Sequence, residues 1–273
     1  MKKIGSKIAE ARKRKGLTQE ELGGLMDLSF QAVSSWERGE TVPDLKNLIR
    51  LREILGVSLD SLTSETDSGW ELNNPNYNED HMYTYLKAKA QEISLPQTLA
   101  ALPFMKEKHA GYFRDGSFNT PYSAHPLTMA CHALAMGIRD DDVLAACLLH
   151  DVVEDTGTKP DELPVSNRVR EAVCLVSYNT YDGPKEEIKD LYYRNIGTNP
   201  LAALVKCIDR CNNLSVMSDG FTREKMATYV RSTEKYVLPL LDVIKAVPEY
   251  NNAAWLLRYQ IITLLETCKR LLG

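Results

Sequence analysis

The segment from His150 to Thr156 holds one imidazole and three carboxylates, and it directly follows an apolar run at positions 143–149. Burying an unpaired carboxylate is costly, so acidic side chains beside a core-facing run are usually solvated, paired or bound to a metal ion. His125 lies upstream of this segment and Asp209 lies downstream of it. Imidazoles and carboxylates together suit a divalent ion such as Mn²⁺, Fe²⁺ or Zn²⁺, with positions left for water. The residue types therefore predict a metal-dependent hydrolase.

Helical spacing groups these side chains further. On an α-helix, residues four apart lie on the same face. Three pairs have this spacing, and each pair should share a face: His150 with Glu154, Asp151 with Asp155, and Asp209 with Asn213. An amide four residues from an acid can reach a substrate or a neighbouring ligand while the acid binds metal.

Four sequence blocks resemble the HD-domain phosphohydrolases, and more narrowly the hydrolase domain of the RelA/SpoT alarmone enzymes and the small alarmone hydrolases. In order along the chain, the blocks are Gly111-x-x-Arg114, Pro121-Tyr122 through His125-Pro126, His150 to Thr156, and Asp209-Arg210 through Asn213. The resemblance covers roughly residues 95 to 250. It implies a domain made of helices and a reaction that removes pyrophosphate from the 3′ position of guanosine tetra- or pentaphosphate (ppGpp or pppGpp).

The resemblance also assigns roles to particular residues. It implies that four residues bind a divalent metal ion, with Mn²⁺ as the expected ion: His125, His150, Asp151 and Asp209. Two acids, Glu154 and Asp155, would orient the attacking water and handle protons. Arg114 would lie against the nucleobase. The remaining predicted substrate contacts are Asn213, Lys206 and Arg210. The cations of Lys206 and Arg210 could stabilise negative charge on phosphate.

Several alternatives stay open at this point. The substrate could be another phosphorylated nucleotide, such as an adenosine alarmone, NADPH or a deoxynucleotide, or the domain could sense a nucleotide without turnover. Ion pairing within the protein is the alternative for Lys206 and Arg210. Asn212 stands where a His or Tyr is common in the family, and we interpret this as a packing change. We expect structural roles for the other histidines, which are His81, His109 and His132.

The amino-terminal 63 residues have a different pattern. Thr18 followed by Glu20 and Glu21 is typical of a helix N-cap with acids in the first turn, and a further helix is predicted from Ser29 to a C-capping Gly39. Apolar spacing predicts an earlier helix and two later ones, near 44–55 and 58–62. This five-helix run resembles the Cro/C1-like (XRE) helix-turn-helix family.

That resemblance implies DNA binding through the helix that begins at Ser29. Its side chains Gln31 and Ser35 would face base edges, and Gln19 and Arg38 would contact phosphates. Trp36 should pack in the core. A helix-turn-helix retained for protein interaction is the alternative. Because such modules often act as dimers on paired half-sites, a homodimer is expected.

The whole chain of 273 residues is thus predicted to be all-α, with a helix-turn-helix domain at 1–63, a linker at 64–80 and an HD domain at 81–273. Its net charge is −4, to which residues 1–64 contribute +2, and this difference supports a division into two modules. It shows neither a signal peptide nor an apolar run of membrane-spanning length, so we expect a cytoplasmic protein with no membrane partner and reduced cysteines. Too few residues follow Tyr250 for a synthetase domain, so we expect hydrolysis only.

Overall fold

The computed structural model describes residues 2–57, 62, 78–114 and 120–273. These residues form α-helices and short helical turns, and their one β contact is an isolated bridge between Phe113 and Pro121. The all-α prediction is confirmed. The described residues fall into two compact units, one made of 2–57 with 62, and the other of 78–114 with 120–273. Among the described residues, no helix has the length and apolar content needed to cross a membrane.

In the smaller unit, residues 2–57 form α1 (Lys2–Arg14), α2 (Gln19–Leu25), α3 (Phe30–Glu37) and α4 (Leu45–Leu55). Thr18 caps α2 through a reciprocal capping box with Glu21, and Ser29 caps α3, so both predicted helix starts are confirmed. Trp36 is buried in a core with apolar residues from all four helices. The predicted fifth helix lies outside the described residues apart from Leu62, which is helical and packs in this core.

The larger unit is a bundle around one continuous apolar core. Its helices are α5 (Glu79–Glu92), α6 (Pro96–Lys108), α7 (Ala124–Ala135), α8 (Asp141–Leu149), α9 (Val152–Thr156), α10 (Asn167–Val176), α11 (Lys185–Ile196), α12 (Pro200–Gly220), α13 (Arg223–Ser232), α14 (Leu240–Lys245) and α15 (Asn251–Leu272). Helix α5 begins at Glu79, within the stretch predicted as linker, and the rest of that stretch up to 77 lies outside the described residues.

Helix α8 lies at the centre of this bundle. All residues from Val143 to Leu149 are buried, as expected for a helix that is apolar on every side. It packs against α6, α7, α10 and α12. Helices α7 and α12 carry His125 and Asp209, so packing against one central helix brings both residues to its carboxyl end.

Two predicted helical runs are interrupted. The segment expected to continue as one helix past His150 breaks at His150 and Asp151, and the short helix α9 starts at Val152. The apolar run predicted from 229 to 243 divides into α13, a π-helical turn at Thr233–Val237, and α14. Pro239 explains the second break, because its ring clashes with the carbonyl of the residue four positions earlier and the preceding turn must widen.

Candidate functional site

The helix break directs the His150 imidazole toward the interior of the site. His150 is the C-cap residue of α8, and its Nδ1 lies 2.9 Å from the carbonyl oxygen of Cys147. A carbonyl only accepts hydrogen bonds, so Nδ1 carries a proton and donates it. The opposite atom, Nε2, is buried without a hydrogen-bond partner although it lies 2.8 Å from Asp151 Oδ2. A proton or a metal ion between these two electron-rich atoms would stabilise them at this separation.

His125 is fixed in the same way at the start of α7. Its Nδ1 lies 2.6 Å from the side-chain oxygen of Asn212. The proton therefore resides on Nδ1, and Nε2 presents a free lone pair. That Nε2 atom is 3.3 Å from Asp209 Oδ1 and 3.7 Å from Asp151 Oδ2. Both imidazoles thus point the same type of atom at the same two carboxylates.

Asp209 completes the cluster from α12. Its Oδ1 lies within 4.0 Å of His150 Nε2 as well as near His125, and its Oδ2 is 2.9 Å from Lys206 Nζ. Burial is the largest effect and would raise the pKa of Asp209, but Lys206 and the two imidazoles outweigh it, so the pKa lies well below its usual range. The acid is therefore held as a carboxylate.

The donor set suits a divalent metal ion. One ligand atom from each of His125, His150 and Asp151 lies within 4.8 Å of the others. Asp209 is not part of that tightest group, but its nearer oxygen faces both imidazoles. The carboxylates of Asp151 and Asp209 raise the pKa of His150 even though burial, the largest single effect, lowers it. The cluster therefore attracts positive charge, which a proton or a metal ion can supply.

Tyr122 is a further site residue that the sequence analysis did not single out by role. Its hydroxyl donates to Asp151 Oδ2 at 2.6 Å. Burial, and next the charge of Asp151, raises the pKa of Tyr122 far above its usual range, so the hydroxyl keeps its proton and remains a donor. The signal was present, because Tyr122 belongs to one of the four motif blocks.

The two acids of α9 are placed differently from each other. Asp155 stays beside Asp151, as the four-residue spacing predicted, with its backbone N–H donating to the Asp151 carbonyl at 2.8 Å. Burial, followed by the charge of Asp151, raises the pKa of Asp155. Glu154 instead accepts from the Tyr178 N–H at 2.9 Å and pairs with Lys185 at 2.6 Å.

The helix expected to carry both His150 and Glu154 is interrupted at His150 and Asp151, and the contacts of Glu154 are to Tyr178 and Lys185. Both acids of α9 nevertheless line the same cleft as Asp151.

Arg114 lies against α12. Its Nη1 is 3.4 Å from the side-chain oxygen of Asn212, and its Nη2 is 2.6 Å from that of Asn213. The interpretation of Asn212 as a packing change is wrong, because its side chain bonds both His125 and Arg114. Sequence spacing contained no signal for this contact.

Arg210 is buried, Lys206 is partly buried, and both already have partners within the protein. Lys206 pairs with Asp209, which matches the ion-pair alternative. Arg210 donates to Tyr193 Oη at 2.8 Å and to Thr233 Oγ1 at 2.9 Å, and its guanidinium lies 3.9 Å from the centre of the Tyr229 ring. The Nε atom of Arg210 is buried without a partner.

A cleft of about 650 Å³ extends from the cluster, within the range of small-molecule sites. Acidic and basic side chains both line it, the acids including Asp151, Glu154 and Asp209 and the bases including Lys185, Lys189 and Lys225, together with the rings of Tyr193 and Tyr229. These cations and rings fit a molecule that carries negatively charged groups and an apolar part.

Among the described residues of this unit, the other histidines and the cysteines do not belong to the group of candidate metal ligands. His132 bonds Gln260 at 3.0 Å. Burial lowers the pKa of His109 to about 4. The centre of the His109 ring lies 4.9 Å from that of the Tyr122 ring, so His109 packs against the Tyr122 side chain. All six cysteines are free thiols, as expected.

The predicted DNA contacts lie in the smaller unit. Gln31 is exposed in the first turn of α3. Arg38 is exposed and pairs with Glu40, and Ser35 bonds Thr41 at 2.9 Å. Gln19 donates to Glu37 at 2.7 Å, within a buried ion pair between Glu37 and Arg12.

Comparison with known proteins assigns the larger unit. The HD domain family matches residues 122–217. Guanosine-3′,5′-bis(diphosphate) 3′-pyrophosphohydrolase MESH1 of Homo sapiens is 36% identical over 141 residues, which cover 49% of this chain and 78% of the human protein. The chain belongs to the HD-domain phosphohydrolase family of MESH1. A solved structure described as a metazoan ortholog of SpoT that hydrolyzes ppGpp has a TM-score of 0.52 and 25% identity, covering 63% of this chain and 94% of that one.

The smaller unit has its own relatives. The helix-turn-helix family matches residues 8–62. The uncharacterized HTH-type transcriptional regulator y4dJ of Sinorhizobium fredii is 44% identical over 66 residues, which cover 24% of this chain and 86% of that protein. The MESH1-like unit is thus joined to a helix-turn-helix unit of transcription-regulator type.

Proposed function

We propose that this protein is a divalent-metal-dependent hydrolase that removes the 3′-pyrophosphate from guanosine 3′,5′-bis(diphosphate) and its pentaphosphate form. The observation that carries the proposal is the pair of imidazoles whose Nε2 atoms face two carboxylates, both of which line a charged cleft. The relationship to MESH1, whose name states this reaction, supports the choice of substrate.

In this proposal His125, His150, Asp151 and Asp209 hold the ion, with Mn²⁺ as the expected metal. A bound divalent ion would polarise a phosphoryl oxygen and make a water molecule more acidic. Tyr122 holds Asp151 by its hydrogen bond, and Lys206 holds the outer oxygen of Asp209. The chain's own contribution is therefore a fixed arrangement of ligand atoms.

Glu154 and Asp155 are the proposed proton-handling groups, because both line the cleft within five residues of His150. Glu154 is held in one orientation by the Tyr178 N–H and by Lys185, which restricts where it can accept a proton. Asp155 lies next to Asp151 and lines the same cleft.

Cationic and amide groups would then bind the nucleotide. Arg114 is the proposed contact to the base, and Asn213, Lys206 and Arg210 are the proposed contacts to sugar and phosphate. Lys206 and Arg210 line the cleft although each already has a protein partner. Their positive charge would offset charge that develops on phosphate during the reaction.

We further propose that residues 1–63 bind DNA as a separate domain, joined through 64–80 to the hydrolase at 81–273, and that the protein acts as a dimer. The exposed position of Gln31 in the first turn of α3 supports a contact to bases. Gln19, Ser35 and Arg38 are the other proposed DNA contacts.

The test is pyrophosphate release from guanosine 5′-diphosphate 3′-diphosphate by the full chain with Mn²⁺, compared with a chelated sample and with Asp151→Ala. We expect metal-dependent product that is absent from the variant. The matched control is Asp161→Ala, which removes an exposed carboxylate outside the cleft and should retain activity. Full activity in Asp151→Ala would refute the metal site. Nucleotide binding without product would favour a sensor, and faster turnover of another nucleotide would change the substrate.

A further inference from the structure

We propose that Arg114 and Asn212 are positioning residues for the metal ligands, and that Arg114 holds His125 and Asp209 in place through two adjacent asparagines. The inference rests on the metal-dependent hydrolysis proposed above. It gives Arg114 a second task besides the base contact that the family resemblance implies.

The guanidinium of Arg114 fixes the orientation of both amides. It lies 3.4 Å from one atom of the Asn212 amide and 2.6 Å from one atom of the Asn213 amide. A guanidinium can only donate hydrogen bonds, so both atoms that face it must be oxygens. The amide nitrogens consequently point away from Arg114.

Each amide then reaches a different ligand. The oxygen of Asn212 accepts from His125 Nδ1 at 2.6 Å, which leaves the Nε2 lone pair free for a metal ion. The nitrogen of Asn213 donates to Asp209 Oδ1 at 2.5 Å. His125 lies on α7 and Asp209 lies on α12, so Arg114, which belongs to neither helix, sets the orientation of both ligands.

The two tasks of Arg114 do not compete. The amides occupy donors at the edge of the planar guanidinium, and an aromatic base stacks on its face. The oxygen of Asn212 has two lone pairs and accepts from His125 and Arg114 together. A residue that lacks this acceptor leaves the His125 ring free to rotate and to exchange tautomers.

The test measures Mn²⁺ affinity of the full chain without nucleotide, from the electron paramagnetic resonance signal of free Mn²⁺. Asn212→Leu keeps the side-chain size but lacks the acceptor, and we expect its affinity to fall about 10- to 100-fold. Asn212→Asp retains an acceptor oxygen and should bind Mn²⁺ more tightly than Asn212→Leu. Arg114→Met should also weaken binding, which loss of a base contact alone would not do.

The matched control is Gln260→Leu. It removes an amide that bonds the imidazole of His132 at 3.0 Å and the thiol of Cys211 at 3.7 Å, and none of these residues belongs to the proposed ligand set. Wild-type Mn²⁺ affinity in Asn212→Leu, or an equal loss in Gln260→Leu, would overturn the proposal. Arg114→Met with unchanged affinity and only a raised KM would overturn the role of the arginine.

Turnover is measured separately on the same samples. A protein that binds Mn²⁺, loses affinity in the Asn212 and Arg114 variants, and releases no pyrophosphate would refute the proposed function while supporting this positioning role. Normal turnover with Mn²⁺ affinity that is insensitive to both substitutions would refute the positioning role while supporting the proposed function.

Discussion

Replacing Tyr122 with phenylalanine removes one hydroxyl from the metal cluster and leaves the aromatic ring in place. The hydroxyl donates to Asp151 Oδ2 at 2.6 Å, and the ring packs 4.9 Å from His109. The substitution should therefore preserve packing while freeing the carboxylate to rotate. The wild-type hydroxyl remains protonated, because burial and the charge of Asp151 raise the pKa of Tyr122.

The expected loss follows from the strength of that one bond. A hydrogen bond to a charged group contributes about 1.5–3 kcal/mol, and each ~1.36 kcal/mol is a factor of ten in rate or affinity. If Asp151 needs the bond to hold its ligating geometry, kcat/KM for pyrophosphate release should fall about 10- to 150-fold. Titration with Mn²⁺ during turnover separates weaker metal binding from a slower chemical step.

Tyr250→Phe is the matched control, because Tyr250 also donates its hydroxyl to a carboxylate, that of Asp140 at 2.9 Å, outside the cleft. It should lower the free energy of unfolding and leave kcat/KM unchanged. Equal activity in Tyr122→Phe and wild type, or an equal loss of activity in the two variants, would refute the reasoning.

Three further outcomes are expected. Saturation with Mn²⁺ at a hundred times its Kd should stabilise the larger unit by about 2.7 kcal/mol in thermal unfolding, and this gain should vanish in His150→Ala. Arg12 and Gln19 lower the pKa of Glu37 although burial, the largest effect, raises it. The contribution of the ionised Glu37 to the free energy of unfolding should thus be complete above its unfolded pKa of about 4.3. It should disappear as the pH falls through the lower pKa of the folded protein. Hydrogen exchange of α1–α3 in Glu37→Gln and wild type should converge at low pH, and a constant difference would contradict this. Gln31→Ala should reduce preference for a DNA sequence selected from a random pool more than it reduces affinity for bulk DNA, and equal losses would argue against a base contact.

The amino-acid sequence by itself determined the class of fold and the set of candidate metal ligands. Helix periodicity and N-cap residues such as Thr18 and Ser29 act between positions three or four apart, so a linear pattern contains them. The ordered blocks likewise identified His125, His150, Asp151 and Asp209, which the structure brings together. The ion pair of Lys206 could also be expected from the sequence, because its partner Asp209 lies only three residues away.

Only the tertiary structure decided how those groups are oriented. The helix is interrupted at His150 and Asp151 although neither residue is a proline, and Glu154 bonds Tyr178 and Lys185, which lie 24 and 31 positions away. Asn212 bonds His125 across 87 positions of sequence, and this long-range contact selects which nitrogen of the ring is free. Gln19 similarly bonds Glu37 from another helix. Local spacing specifies which residues share a helix face, whereas tautomer and hydrogen-bond direction depend on atoms that only folding brings within about 3 Å of each other.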